Sequence, residues 1–187
     1  MYNSTIGYAS KLIKGSIVFS VVIFISLSQL MAIVSIFSLV WKYEILLNES
    51  IPFFREFSIY ALFIGIFIIG VLYSAISSAY IFSKNNRMFS TLRIFGATKL
   101  AIKKLAMLIS FLYPLISFGI CVIEMGILYL RYSSYILTLI EFADVINGAY
   151  MILIANAVLI VGFMIGAFIS NSILLHKDPY EDLRGTL

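Results

Sequence analysis

The chain of 187 residues is 62% hydrophobic and only 12% charged, whereas soluble globular domains are roughly 45–50% apolar and about 25% charged. Its mean hydropathy of +1.06 also excludes an intrinsically disordered chain, which combines low hydrophobicity with high net charge. The composition therefore predicts a single membrane domain.

The first 14 residues predict a short amphipathic helix that lies on the membrane surface. Helical spacing puts four apolar side chains on one face, while the lysines and most serines lie elsewhere. The apolar positions are Tyr2, Ile6, Ala9 and Ile13. A frayed tail is the alternative interpretation of this segment.

Long stretches with few or no charged residues follow along the chain. Each exceeds the roughly 20 residues that a helix needs to cross about 30 Å of hydrocarbon. A helix also satisfies its own backbone hydrogen bonds, which lipid cannot do. The sequence therefore predicts four transmembrane helices, at 15–41, 57–83, 105–130 and 145–175.

The distribution of Lys and Arg predicts the orientation of these spans. Ten of the thirteen lie in segments 1–14, 84–104 and 176–187, and three lie in the loops 42–56 and 131–144. The positive-inside rule then places both termini and segment 84–104 in the cytoplasm. We expect a multi-pass protein of the plasma (inner) membrane, whose net charge of +4 reflects topology rather than nucleic-acid binding.

Segment 84–104 contains the most informative motif. Apolar residues recur there at i, i+1, i+4 and i+7, which places them in a stripe on one face of a helix. Arg87 and Arg93 bracket this stripe, and Ser90 lies on the opposite face. The stripe consists of Met88, Phe89, Leu92 and Phe95, and Gly96 and Ala97 follow it. A helix this short is marginal alone in water, so we expect the exposed stripe to pack against the inner leaflet or a groove in another protein.

Two features of the later spans predict contacts within the membrane. Small residues at Gly162, Gly166 and Ser170 let helix backbones approach closely, either within one chain or between two subunits. Glu124 lies near the outer end of the third span, and an acid in a span is by default a candidate functional site. At the rim it more often reaches headgroups or a nearby base such as Arg131, so we expect Glu124→Gln to leave activity nearly intact.

Other residues limit the possible chemistry. Cys121 and His176 are the only cysteine and the only histidine, which argues against a metal site and against a Ser-His-Asp triad. The sequence has no GxxxxGK[ST] motif for binding ATP. We therefore expect no enzymatic activity, no metal site and no cofactor on this chain.

The motif of segment 84–104 resembles that of the FtsX-like permeases, the membrane subunits of MacB-type ABC transporters. The family pattern R-E-I-G-x-L-R-A-x-G-A is matched at Arg87, Leu92, Arg93, Gly96 and Ala97, with Met88 in place of the usual Glu. The family's terminal proline and A-L-R are echoed by Asp178, Pro179, Leu183 and Arg184. The chain is similar to a minimal member that lacks the large extracytoplasmic domain, since only 42–56 separates the first two spans.

The resemblance implies that residues 87–95 form a coupling helix, seated in a cleft of a separate ATPase subunit that binds ATP and Mg. It also implies that the chain works with a second permease, as a homodimer or heterodimer. The function would be an ABC transporter or a mechanotransmission complex, with a lipophilic or amphipathic substrate or a signal to another membrane protein. The alternative is a four-span adaptor or assembly factor that is not driven by ATP. In that case the basic segment only fixes the orientation of the spans and contacts membrane lipids.

Overall fold

The structure, a computed structural model, describes Gly7, Ile13 and the ranges 17–42, 59–139 and 142–176. Nearly all residues of these ranges are helical, and no strand occurs among them. The prediction of an all-helical protein is confirmed. The helices are α1 (Ile17–Lys42), α2 (Ile59–Lys84), α3 (Asn86–Ile94), α4 (Lys99–Leu139) and α5 (Phe142–His176).

Four of these helices, α1, α2, α4 and α5, are long and apolar enough to cross a membrane. Their mean hydropathies lie between 2.2 and 2.6. Large apolar side chains on their outer faces, such as Ile68 and Leu130, are more than half exposed, as expected for surfaces that face lipid rather than water. The prediction of a multi-pass membrane protein with four spans is confirmed.

The third span is longer than its charge-free stretch predicts. Helix α4 begins at Lys99 and ends at Leu139, a run of 41 residues that measures about 60 Å at 1.5 Å per residue. Three of the lysines that we assigned to the connecting segment, Lys99, Lys103 and Lys104, thus lie in its first two turns, and most of the predicted loop 131–144 is helical. Charged residues mark where a span leaves the lipid, but the chain has no Gly or Pro between 131 and 144 to end a helix.

Several predicted segments lie outside the described residues. They are most of the amphipathic helix 1–14, the outer loop 42–56 apart from Lys42, and the tail with Asp178, Pro179, Leu183 and Arg184. Within the first of these, the structure describes only Gly7 and Ile13, and Ile13 packs against the buried core.

The four long helices pack as two parallel pairs. In α1 and α4, Ser20 contacts Tyr113 and Gln29 contacts Glu124, so the contacts advance along both helices in the same direction. In α2 and α5, Val71 contacts Gly162, Ala75 contacts Gly166 and Ala79 contacts Ser170, so these contacts also advance together. A core of large apolar side chains fills the bundle, including Leu27, Met31, Phe82, Ile109 and Phe163.

The small residues of α5 pack against α2 of the same chain. A Cβ added to Gly162 would lie 3.2 Å from Val71 Cγ1, and one added to Gly166 would lie 2.7 Å from Ala75 Cα. One turn further, the Ser170 hydroxyl lies 3.4 Å from the Ala79 carbonyl oxygen. The sequence left open whether these small residues pack helices within one chain or pack two subunits together. In the structure they pack α5 against α2 of the same chain.

Candidate functional site: the basic end of the bundle

Helix α3 lies between the end of α2 and the start of α4 and contacts both, and we call this region the basic end. Arg87, Lys99, Lys103 and Lys104 are exposed there, and the sequence contains no Asp or Glu from 57 to 123. Three of these four cations lie in the first turns of α4, where the helix dipole favours acids rather than lysines. The segment 57–123 therefore supplies cations to this region and no acidic residue of its own.

The apolar face of α3 packs mainly on its own bundle, which differs from the expectation that it is exposed. Phe89 is buried, and its ring stacks on that of Phe82 with centroids 5.9 Å apart. Met88 and Leu92 are half-buried against the core. Ser90, assigned to the polar face, is also buried. A short helix tied between two spans buries its apolar face most readily against those spans.

Asn85 joins α2 to α3 without a loop. Its backbone N–H and its side-chain Nδ2 both donate to the carbonyl oxygen of Ile81, at 3.1 and 2.9 Å. The backbone N–H groups of Met88 and Phe89 then donate to the Asn85 carbonyl oxygen. Because these bonds link the last turn of α2 to the first turn of α3, the two helices are connected through a single residue.

The turn after α3 gives three residues of the sequence motif, Leu92, Gly96 and Ala97, a structural role in ending the helix. Gly96 has φ +90°, a left-handed conformation that other L residues rarely adopt. Its N–H donates to the Arg93 carbonyl at 3.1 Å, and the N–H of Ala97 donates to the Leu92 carbonyl at 2.9 Å. This is a Schellman cap, which commonly brings the first residue beyond the glycine against the last turn, and both Leu92 and Ala97 pack against the core. Leu92, Gly96 and Ala97 thus end α3.

Thr98 then starts the next helix. Its Oγ1 accepts a hydrogen bond from the backbone N–H of Ala101 at 3.2 Å, which is the usual bond of an N-cap threonine. A C-cap and an N-cap therefore follow each other within four residues and connect α3 to α4 through a short turn.

A few large apolar side chains remain exposed at this turn. Phe95 is 84% exposed, Leu100 is 65% exposed and Ile94 is 36% exposed. We call these three residues the α3 tip. The tip, rather than the whole predicted stripe, is the part of the α3 segment that remains an exposed apolar surface.

A second polar feature lies further along α1 and α4, away from the basic end. The side-chain amide of Gln29 donates to Glu124 Oε1 at 2.8 Å, so the partner of Glu124 is on α1 rather than the expected Arg131. The guanidinium of Arg131 instead lies 5.7 Å from the ring centroid of Tyr132. The second carboxylate oxygen, Oε2, is buried and makes no hydrogen bond among the described residues.

Sequence reasoning missed other buried polar contacts between helices. Asn156 donates to the Ser35 hydroxyl at 2.8 Å, and the Ser74 hydroxyl donates to the Leu159 carbonyl at 2.8 Å. The signal was present, because Gln and Asn side chains are rare within apolar spans and seek partners there. These contacts hold the helices in register and bring no nucleophile and base together.

The described residues contain no group of three or more His, Cys, Asp or Glu side chains that could hold a metal ion. No family model, curated protein or solved structure matches the chain.

Proposed function

We propose that this chain is the membrane subunit of an ABC-type transporter or of a mechanotransmission complex. In this proposal the α3 tip and Arg87 contact a separate ATPase subunit, which binds ATP and Mg. The proposal rests on the motif shared with FtsX-like permeases and on one structural observation. That observation is the exposure of Phe95, an aromatic side chain that is 84% exposed at the end of a capped helix.

The surroundings of the α3 tip suit the transmission of movement. Helix α3 is joined to α2 through Asn85 and to α4 through the Gly96 and Thr98 caps. The stacked rings of Phe82 and Phe89 add a packed contact between α2 and α3. Because these connections are short and hydrogen-bonded, a displacement of the tip moves the ends of two spans together. Such rigid-body movement is one of the established forms of conformational coupling.

The two arginines of the motif have different roles in this proposal. Arg87 is exposed and provides charge complementarity to the ATPase cleft, whereas Arg93 is half-buried. Charges at the rim of an interface contribute mainly to the rate and register of association. Arg87 is therefore expected to set the orientation of docking, and the apolar tip to provide the buried contact.

The remaining parts of the proposal follow the resemblance. Two permease chains, identical or different, work with a pair of ATPases in the plasma (inner) membrane, with both chain ends in the cytoplasm. The substrate is lipophilic or amphipathic and enters from the bilayer, or the movement signals to another membrane protein. The four apolar spans support the membrane location.

Substitution of Phe95 tests the proposal against the adaptor alternative. Phe95→Asp should release a co-purifying P-loop ATPase subunit without changing membrane insertion, while Phe95→Leu should retain it. Thr98→Asp is the matched control, because it adds the same charge three residues away and Asp also serves as an N-cap. Retention of the ATPase by Phe95→Asp, or the absence of an ATPase from the purified wild-type complex, would favour an adaptor that is not driven by ATP.

A further inference from the structure

Gln29 is a polar residue on the outer face of α1. The apolar span of this helix runs from Ile17 to Leu39, so Gln29 lies about 18 Å from one end and about 15 Å from the other, at 1.5 Å per residue. Its side chain is exposed, whereas Asn156 on α5 is buried and Glu124 on α4 is half-buried. The span therefore presents an amide to the lipid near the middle of the bilayer.

This amide has hydrogen-bonding capacity that its own chain does not use. One N–H donates to Glu124 Oε1 at 2.8 Å. The second N–H and the amide oxygen have no partner among the described residues. Lipid tails offer no hydrogen bonds in place of those that water would make, so an amide that faces them is left at a cost in free energy. A group that both donates and accepts would stabilise it.

The residues around Gln29 form a heptad seam on the same face of α1. Along the seam the spacing alternates between four and three residues, which is the a/d pattern of coiled coils. Its members are Val18, Val22, Ile25, Gln29, Ala32 and Ile36. The valines and isoleucines among them are between 41% and 76% exposed, while Ala32 is buried in its own bundle. Gln29 occupies an a position, where a single polar side chain is known to fix the register of paired helices.

We propose that α1 pairs with α1 of a second copy of this chain along the heptad seam. Two copies that insert in the same orientation cross the bilayer in the same direction, so their α1 helices are parallel and their Gln29 side chains lie at equal depth. Glu124 holds one N–H of each amide, and the other N–H donates to the amide oxygen of the partner's Gln29. A twofold contact requires a surface that complements itself. An amide provides this because it both donates and accepts.

The pairing makes the second permease of the proposed function a copy of the first. It requires no ATPase, because Gln29 lies near the middle of α1 and the α3 tip lies at the basic end. Retention or release of an ATPase by Phe95→Asp therefore tests the proposed function without testing this contact.

Cysteine cross-linking in membranes tests the seam. Cys121→Ser removes the only cysteine of the chain and provides the background. Ile25→Cys places a thiol on the seam, at a position that is 52% exposed, and should form a covalent homodimer on oxidation. Ile76→Cys on α2 is the matched control, because Ile76 is 67% exposed and each position lies eight residues from the basic end of its span. It should remain monomeric.

Gln29→Leu separates the contribution of the amide from that of the apolar seam. The dissociation constant of the homodimer in detergent should rise about tenfold, which is roughly the effect of one hydrogen bond between model membrane helices. Asn147→Leu removes an exposed amide at the outer end of α5 and should leave the constant unchanged. Circular dichroism checks that each variant keeps its helical content.

Several outcomes would overturn the pairing. They are the absence of a cross-link at Ile25→Cys, equal cross-linking of Ile25→Cys and Ile76→Cys, and a wild-type dissociation constant in Gln29→Leu. Cross-linking of Ile25→Cys to a different membrane protein instead of a second copy would also overturn it, because the amide would then be covered by another partner.

Discussion

Gly166 of α5 lies directly against the backbone of Ala75 of α2. A Cβ on Gly166 would lie 2.7 Å from Ala75 Cα and closer still to its carbonyl oxygen. Because the opposing atoms belong to a helix backbone, they cannot move aside as a side chain would. Gly162 and Ser170 continue the contact one turn away on either side, so this glycine is at the centre of the α2–α5 packing.

Gly166→Ala should therefore separate α2 from α5 and destabilise the bundle. Overpacking of a close contact costs roughly 1–3 kcal/mol, and thermal unfolding in detergent should show the loss. Gly119→Ala on α4 is the matched control, since no heavy atom lies within 4 Å of the added Cβ. Alanine is also the better helix former, so the control should be neutral or stabilising. Equal unfolding temperatures for the two variants would contradict the packing described here.

The Gly96 cap provides a second prediction. Gly96→Ala places a Cβ at φ +90°, which costs an L residue roughly 1–2 kcal/mol, although no neighbouring atom would clash. The end of α3 should fray, and hydrogen exchange should accelerate at the amides of Gly96 and Ala97. Gly126→Ala, whose Cβ also meets no atom within 4 Å, should leave this exchange unchanged. Unaltered exchange in Gly96→Ala would show that the cap contributes little.

Glu124 and Gln29 allow a test of the contact between α1 and α4. Glu124→Gln keeps an oxygen that accepts from Gln29, so stability and activity should stay close to the wild type. Glu124→Leu and Gln29→Leu each remove the bond, and hydrogen bonds between membrane helices contribute about 0.6 kcal/mol on average. A double-mutant cycle should give a coupling of about that size. Strictly additive losses would mean that the bond contributes nothing.

Leu92 and Phe95 should respond differently to the same substitution. Leu92 is half-buried and its carbonyl accepts the cap bond of Ala97, whereas Phe95 is 84% exposed. Leu92→Asp should therefore lower the unfolding temperature, because it places a charge against the core. Phe95→Asp should leave stability within about 0.5 kcal/mol of the wild type, as most surface changes do. Destabilisation by Phe95→Asp equal to that of Leu92→Asp would place Phe95 within the fold rather than on its surface.

The four spans could be predicted because a helix that crosses the lipid must be apolar over roughly 20 residues. The bounds of α4 could not, because the charges at Lys104 and Arg131 mark where a helix leaves the lipid without ending it. Helical spacing identified the amphipathic face of α3, but it could not show that Phe89 packs on Phe82 and leaves Phe95 outside. The small residues of α5 predicted a close contact, and only the folded chain supplies Ala75 as its partner. Gln29 was overlooked because a single amide has no periodic pattern, although its rarity within an apolar span was a signal for a polar contact.

Photo-crosslinking from position 95 in intact membranes tests the central claim most directly. A photoreactive phenylalanine analogue at Phe95 is compared with one at Ile154, which is 61% exposed on α5 and faces the lipid. The account predicts that position 95 yields an adduct with a P-loop ATPase subunit, identified by mass spectrometry, and that position 154 does not. Adducts with lipid alone at both positions would contradict it.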